Sequence, residues 1–470
     1  MKYKLMFFLV LLTIKGLAQE SKYGQYRYAI DVPLVDLPFL QHATKMHAKK
    51  IDVVDIRLKN YLNSYESTSM EQALSLTKGL HAGNYYLNNL IWENFIPLEK
   101  NKFLNRVTAN LSSGLVDLLL TYKLVVFSPQ WLHEEFHRNG LTINKISSYD
   151  ETYNLFAGGI SNGSISKVTD EDMVRFKRDN PQEMIRSFAA GIESEFLLIR
   201  SLQNDNFFKD TKYANVLLNL LLTKHAIDYV NQFKRPDFNN SIDSMNYYGV
   251  KVKDRDYVGW DFTAWVYDLH RPLEPYANRG VHPSGVGIDR AVKSTKLTDN
   301  EYNYLKKMGK MQYLNFISPF MLGINRIKLG NQMSFNFAVR HYLNSFGYSL
   351  STDVFFSKHG RNFLVSLHAY RNKELTLPGV EVYLPDYQLK KYSPISLQPK
   401  LMAWLQPSNQ LFYDQDAKFG GMVGLKANLI LGRKFSAFVE SDFKTPGWVA
   451  GNPFLSSNST FRLGLTFDTK

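Results

Sequence analysis

Phe461-Arg462-Leu463-Gly464-Leu465-Thr466-Phe467 alternates apolar residues with polar or small ones, without a break. Period two sends successive side chains to opposite faces of an extended chain, so this stretch reads as a strand with one apolar face. The same rhythm runs back through the C-terminal third. Phe335, Phe337 and Val339 alternate with Asn336, Ala338 and Arg340. Tyr348, Leu350, Thr352, Val354 and Phe356 alternate with Ser349, Ser351 and Asp353. Phe363, Val365 and Leu367, then Val423, Leu425, Ala427 and Leu429, then Phe435, Ala437 and Val439 continue it. With weaker segments near 313–322, 379–384 and 396–405, residues 311–470 are expected to hold about eight antiparallel strands.

Upstream of 311 the period is close to 3.6. Helices are expected over about 69–90, 104–127, 181–202, 213–233, 261–269 and 297–309, with extended or irregular chain over 19–45 and a loop-like stretch over 141–180. Segment 104–127 is apolar but interrupted by Asp117, Tyr122 and Lys123. Its uninterrupted runs are too short to span a bilayer, so a buried core helix is expected. The fold class expected is therefore α+β multi-domain: a mainly helical unit over 19–310, then an antiparallel β unit over 311–470.

The chain has no cysteine, which excludes disulfides and cysteine metal sites. Lys2 and Lys4, the apolar run Leu5–Ile14 and the small residues of Gly16-Leu17-Ala18 read as a secretory signal peptide over 1–18. A net charge of +13 on an exported chain without a basic repeat points away from nucleic acid. Outer-membrane lipid is the expected partner surface, and the bacterial cell envelope the expected location.

Two architectures suit the β unit: a sandwich, or a barrel with apolar residues toward lipid and polar ones toward its lumen. Strands of about nine to eleven residues match a tilted membrane-spanning strand and favour the barrel. An aromatic close to the C-terminus, Phe467, resembles the terminal signature of outer-membrane barrel proteins, although Asp468-Thr469-Lys470 follows it.

The chemistry resides in Trp131-Leu132-His133-Glu134-Glu135-Phe136-His137. Two histidines four apart lie on one helical face and can offer ring nitrogens to one metal ion, with Glu134 beside them as a proton acceptor. Ser128 suits an N-cap, Pro129 the first turn, and Gly140 is placed to end the helix. The motif resembles the zincin metallopeptidases over 128–140. That resemblance implies Zn2+ as cofactor, His133 and His137 as ligands and Glu134 as general base. Glu135 and Arg138 depart from the stricter family pattern, and the metzincin extension is absent. A gluzincin-like carboxylate from a later helix is then implied as third ligand. Glu193 is the choice within 181–202, with Glu195 nearly equal. Loop 270–290 offers His270, Tyr276, Arg279 and His282 to steady an oxyanion, with His282 the candidate. The expected function is an exported, outer-membrane-associated zinc hydrolase acting on protein or peptide. The alternative is a non-catalytic barrel protein with a structural His/Glu cluster.

Overall fold

The computed structural model describes residues 29–48, 67–97, 99–122, 126–153, 163–209, 216–330, 332–385, 387–388, 394–432 and 435–468. The expected signal peptide lies outside them. In chain order the elements begin with strand β1 (Ala29–Leu37) and helices α1 (Phe39–Ala48), α2 (Met70–Phe95), α3 (Lys102–Tyr122) and α4 (Pro129–Ile143). A small hairpin, β2 (Tyr149–Asp150) and β3 (Ile165–Ser166), precedes α5 (Asp170–Asp179) and α6 (Pro181–Phe208). Then come α7 (Val216–Asn231), α8 (Phe238–Tyr248), α9 (Asp261–His270) and α10 (Asp299–Met311). The strands β4 (Ile327–Leu329), β5 (Met333–Asn344), β6 (Gly347–Lys358), β7 (Arg361–Arg371) and β8 (Thr376–Tyr383) follow. Last are β9 (Tyr387–Gln388), β10 (Ile395–Pro407), β11 (Ala417–Ile430), β12 (Phe435–Lys444) and β13 (Asn458–Asp468).

The change of period near 311 thus marks the passage from helices to strands. The large sheet has 11 strands, all antiparallel, in the order β1-β13-β12-β11-β10-β8-β7-β6-β5-β4 with β9 against β10. The stretch 19–45, expected to be extended or irregular, contributes β1, which pairs with β13 from Ala29↔Asp468 to Leu37↔Phe461. Pro33 is tolerated there because β1 is an edge strand and its register shifts between Pro33 and Val35. The weak segment 313–322, expected to be a strand, instead forms two 3-10 turns, Gln312–Phe316 and Pro319–Leu322. The expected barrel does not close: among the described residues no ladder joins β1 to β4. Helices pack against the sheet. α6 lies against β5 and β6, while α2 packs on β1. One buried core runs through both parts, from Met70 and Trp131 to Tyr342, Tyr370, Trp404 and Trp448.

The polarity of the sheet is inverted relative to a soluble one. Its outward positions are apolar and exposed: Leu401, Val423, Leu425, Val439, Phe443, Leu463 and Leu465 among them. Its inward positions carry buried charge. Arg462 reaches Asp36 (3.2 Å), Asp442 (2.9 Å) and Glu440 (3.0 Å). Arg340 meets Asp353 at 2.7 Å, and Arg200 of α6 meets Glu381 at 2.9 Å. Buried charges survive only when paired, and these are paired across strands or, for Arg200, from helix to strand.

Helix α3 departs from the expectation of a buried core helix. Its exposed side carries Leu104, Leu111, Leu115 and Leu119, while Asn105, Ser113 and Asp117 are buried. No helix among the described residues is long and apolar enough to cross a membrane.

Candidate metal centre

Helix α4 is fixed at its start by Ser128, whose Oγ accepts from the Trp131 amide at 3.3 Å, with Pro129 in the first turn. It does not end at Gly140 but runs to Ile143. Gly140 has a different task. A Cβ there would lie 2.7 Å from Ser187 Cβ, so glycine permits α4 and α6 to touch. Glu135 and Arg138, odd for the zincin pattern, form a buried ion pair on the far side of the helix. Glu135 Oε2 also accepts from the Thr68 amide (2.7 Å) and hydroxyl (2.9 Å). That pair fastens α4 to the chain entering α2 and leaves the histidine face free.

On that face His133 and His137 stand with ring centroids 4.8 Å apart. Each has its Nδ1 occupied. His133 Nδ1 lies 3.1 Å from Glu195 Oε1, and His137 Nδ1 lies 2.6 Å from the Ser187 carbonyl oxygen. A carboxylate and a carbonyl can only accept, so both Nδ1 atoms carry a proton and Nε2 is the nitrogen each ring can give to a metal ion. The two Nε2 atoms face one carboxylate oxygen, Asp261 Oδ2, at 3.4 Å from His133 and 3.1 Å from His137. One ligand atom from each of the three residues falls within 4.8 Å of the others. His137 Nε2 is buried and makes no hydrogen bond. Two imidazoles, a carboxylate, oriented Nδ1 protons and an orphaned buried nitrogen together suit a metal ion.

Asp261 opens α9. The turn before it is held by Asp256, which accepts from the amides of Val258 (2.8 Å), Gly259 (2.9 Å) and Ile165 (2.9 Å). Tyr257 meets the His137 ring edge-to-face and donates to the Ser187 carbonyl at 3.1 Å. The site is electronegative. Burial opposes a charged His133, yet hydrogen bonds to Asp261 and Glu195, with the charge of Glu134, hold it up at about 10. Burial pushes Asp256 up to about 6, with Asp261 adding to it. Glu134 is driven well above the carboxylate range by burial, against the pull of His133 and with the push of Asp150, Asp256 and Asp261. A cation at the three ligand atoms would relieve all of this repulsion.

The centre borders a cavity of about 790 Å3 lined by His133, Glu134, Glu195, His225, Tyr229, Trp260 and Arg290 among others. Glu134 and His225 therefore face the same space as His133, while His137 and Asp261 lie behind its lining. His225 Nδ1 meets Glu195 Oε1 at 2.9 Å, and the charge of Glu195 raises its pKa against burial.

The expected third ligand, Glu193, is elsewhere. Its carboxylate is bound by Arg186 (3.0 Å), the Gly451 amide (2.8 Å) and the Trp448 indole (3.3 Å), so it bolts α6 to the loop before β13. Glu195 orients His133 instead of facing the cluster with Asp261. His282 does not line the cavity. It sits in loop 280–289, where its Nδ1 meets the Ser284 hydroxyl (2.9 Å) and amide (3.2 Å). Arg279 pairs with Asp268 at 2.7 Å, and His270 packs on Phe412. Asp261, His225 and Tyr229 are site residues that the sequence does not single out. The one signal for Asp261 is an acid within Trp260-Asp261-Phe262-Thr263-Ala264-Trp265, a stretch with no other charge. His225 lies in a helix that periodicity marks only as apolar.

No protein-family profile and no curated protein matches the chain. One solved structure, a NanC porin in a rhombohedral crystal form, aligns with 30% of this chain and 74% of its own at 17% identity and a TM-score of 0.23. The likeness to zincins is carried by the histidine cluster alone.

Proposed function

We propose that this chain is an exported, outer-membrane-associated hydrolase that uses Zn2+ to cleave protein or peptide amides. The observation that carries the reading is the convergence of His133, His137 and Asp261, with His133 and Glu134 both on the wall of one cavity. Zinc bound there would supply a Lewis acid for the carbonyl and for water. Glu134 faces the cavity beside His133; with a cation on the ligand atoms favouring its ionised form, it would take the proton of the attacking water and return it to the leaving amine. Glu195 and the Ser187 carbonyl keep both imidazoles in the tautomer that presents Nε2. A purely structural zinc site uses four protein ligands. Among the described residues three converge, and one of them, His133, lines the cavity. The inverted polarity of the sheet, apolar outside and charged inside, supports the membrane assignment.

The test is Glu134→Gln assayed on peptide libraries and envelope proteins. Hydrolysis is expected to fall by about 10²–10⁴-fold while zinc stoichiometry is kept. An unchanged rate rules out the mechanism.

A further inference from the structure

The sheet in this fold has two free edges, and a bilayer does not tolerate an open edge: unpaired backbone groups in hydrocarbon cost several kcal/mol each. The structure places helices at the seam. α2 packs on the β1 edge, where Gln72 Nε2 donates to the Pro33 carbonyl at 3.2 Å. Gly79 lies against Ile30 of the same strand. α3 packs on α2 and, through Gly114 against Leu217, on α7. α7 in turn meets the turn 319–322, which packs on β5 next to the short edge strand β4. A continuous line of helices thus runs from one edge to the other.

The polarity of these helices is that of the sheet. Along α3, the exposed side chains described between 104 and 119 are Leu104, Leu111, Leu115, Val116 and Leu119, all apolar. On α2, Leu87, Ile91 and Phe95 continue the apolar surface, with Asn94 at its end. The polar groups turn inward. His81 Nδ1 meets Asp117 at 2.7 Å, Asn84 donates to the same carboxylate at 2.8 Å, and Trp92 donates to Ser112 at 2.7 Å. Helices that meet through small and polar residues and show leucine outward are arranged for lipid, where the solvent is as apolar as leucine. In water this face would be an apolar patch with nothing covering it. From Leu104 to Leu119 the stripe rises about 22 Å, close to the roughly 25 Å apolar band of an outer-membrane sheet.

We infer that the α2–α3 hairpin is a membrane-facing wall that seals the open sheet, with its Leu87–Phe95 and Leu104–Leu119 faces in contact with lipid hydrocarbon. The inference rests on the membrane reading of the sheet and adds helices to its lipid-facing surface.

The chain lacks cysteine, so single-cysteine variants need no background changes. Leu111→Cys, Leu115→Cys and Ile91→Cys report on the hairpin, Leu425→Cys and Leu463→Cys on the sheet, and exposed Leu273→Cys on water. Each is spin-labelled in phosphatidylethanolamine–phosphatidylglycerol vesicles, and collision rates with oxygen and a water-soluble nickel chelate are compared. The hairpin and sheet labels are expected to show an oxygen-to-nickel ratio several-fold above that of Leu273→Cys. If the sheet labels are lipid-like but the hairpin labels meet nickel, or neither reagent, the hairpin faces water or a protein partner and the inference falls alone. If all labels meet nickel, the membrane reading falls with it. Photolabelling of the unsubstituted protein by a diazirine phospholipid tests the same contact without substitution. Adducts are expected on peptides from 87–119, and adducts confined to the strands overturn the inference.

Discussion

Glu195 Oε1 stands 3.1 Å from His133 Nδ1 and 2.9 Å from His225 Nδ1, so one buried carboxylate oxygen serves both a candidate ligand and a cavity histidine. This fixes the tautomer of His133 and strengthens its Nε2 as a donor. Glu195→Gln keeps an acceptor of the same size but removes the charge. Zinc affinity is expected to fall roughly 10- to 100-fold, measured by competition with a fluorescent chelator. Equal affinity in the variant would remove Glu195 from the centre.

Gly191 offers a test in which local and site effects have opposite signs. A Cβ at this position would lie 2.2 Å from His133 Nε2 and 2.3 Å from its Cε1. The ring thus packs on bare helix backbone. Within a helix, glycine to alanine is ordinarily favourable by about 1 kcal/mol. Gly191→Ala should therefore keep or improve helix content by circular dichroism while displacing the His133 ring and lowering zinc stoichiometry. Full zinc loading would show that His133 is not held where the centre requires it.

Asp261 and Glu193 separate the ligand set in the structure from the one the motif suggested. Asp261→Ala leaves two imidazoles and is expected to lose bound zinc, while the metal-free protein melts somewhat lower because His133 and His137 lose a buried carboxylate partner. Glu193→Ala leaves Arg186 buried and unpaired, which costs about 3–5 kcal/mol, yet it should retain zinc as long as the protein is folded. Metal content by mass spectrometry on the folded fraction decides. Loss of zinc in Glu193→Ala but not in Asp261→Ala would reverse the assignment.

What is legible in the sequence follows from the range of the forces involved. His133, Glu134 and His137 share one helical face by local geometry alone, and Ser128 with Pro129 announces the start of that helix. The strands are legible because each repeats its polarity every second residue. Which of two acids on α6 meets the histidines is settled by tertiary neighbours: Trp448 and Gly451 claim Glu193, some 255 residues away in sequence. Asp261 reaches the site from 128 residues away, and only the turn held by Asp256 brings it there. The sheet's failure to close is hidden for a related reason. Its extra strand, β1, comes from the other end of the chain, where the prolines exclude a helix but name no partner strand. The inverted polarity of α3 is not legible at all, because an apolar stripe has the same period whether it faces a core or lipid.

His270 gives the last prediction. It ends α9, clear of the metal centre, and packs on Phe412 and Tyr304 with its Nδ1 3.2 Å from the Tyr413 hydroxyl. Burial pushes its pKa down to about 4 from the ordinary 6.5, with Lys373 and Arg271 adding to the push and Glu301 opposing it. A base whose folded pKa lies below its unfolded value binds fewer protons when folded, so acid favours the unfolded chain. The neutral ring's stabilising contribution is complete above pH 6.5 and is lost as pH falls from 6.5 toward 4. His270→Gln keeps a polar side chain that does not titrate in this window. The denaturant midpoint should decline less steeply between pH 6.5 and 4 in that variant than in the parent, both metal-free. Parallel profiles would show that His270 keeps its ordinary affinity for protons in the folded protein.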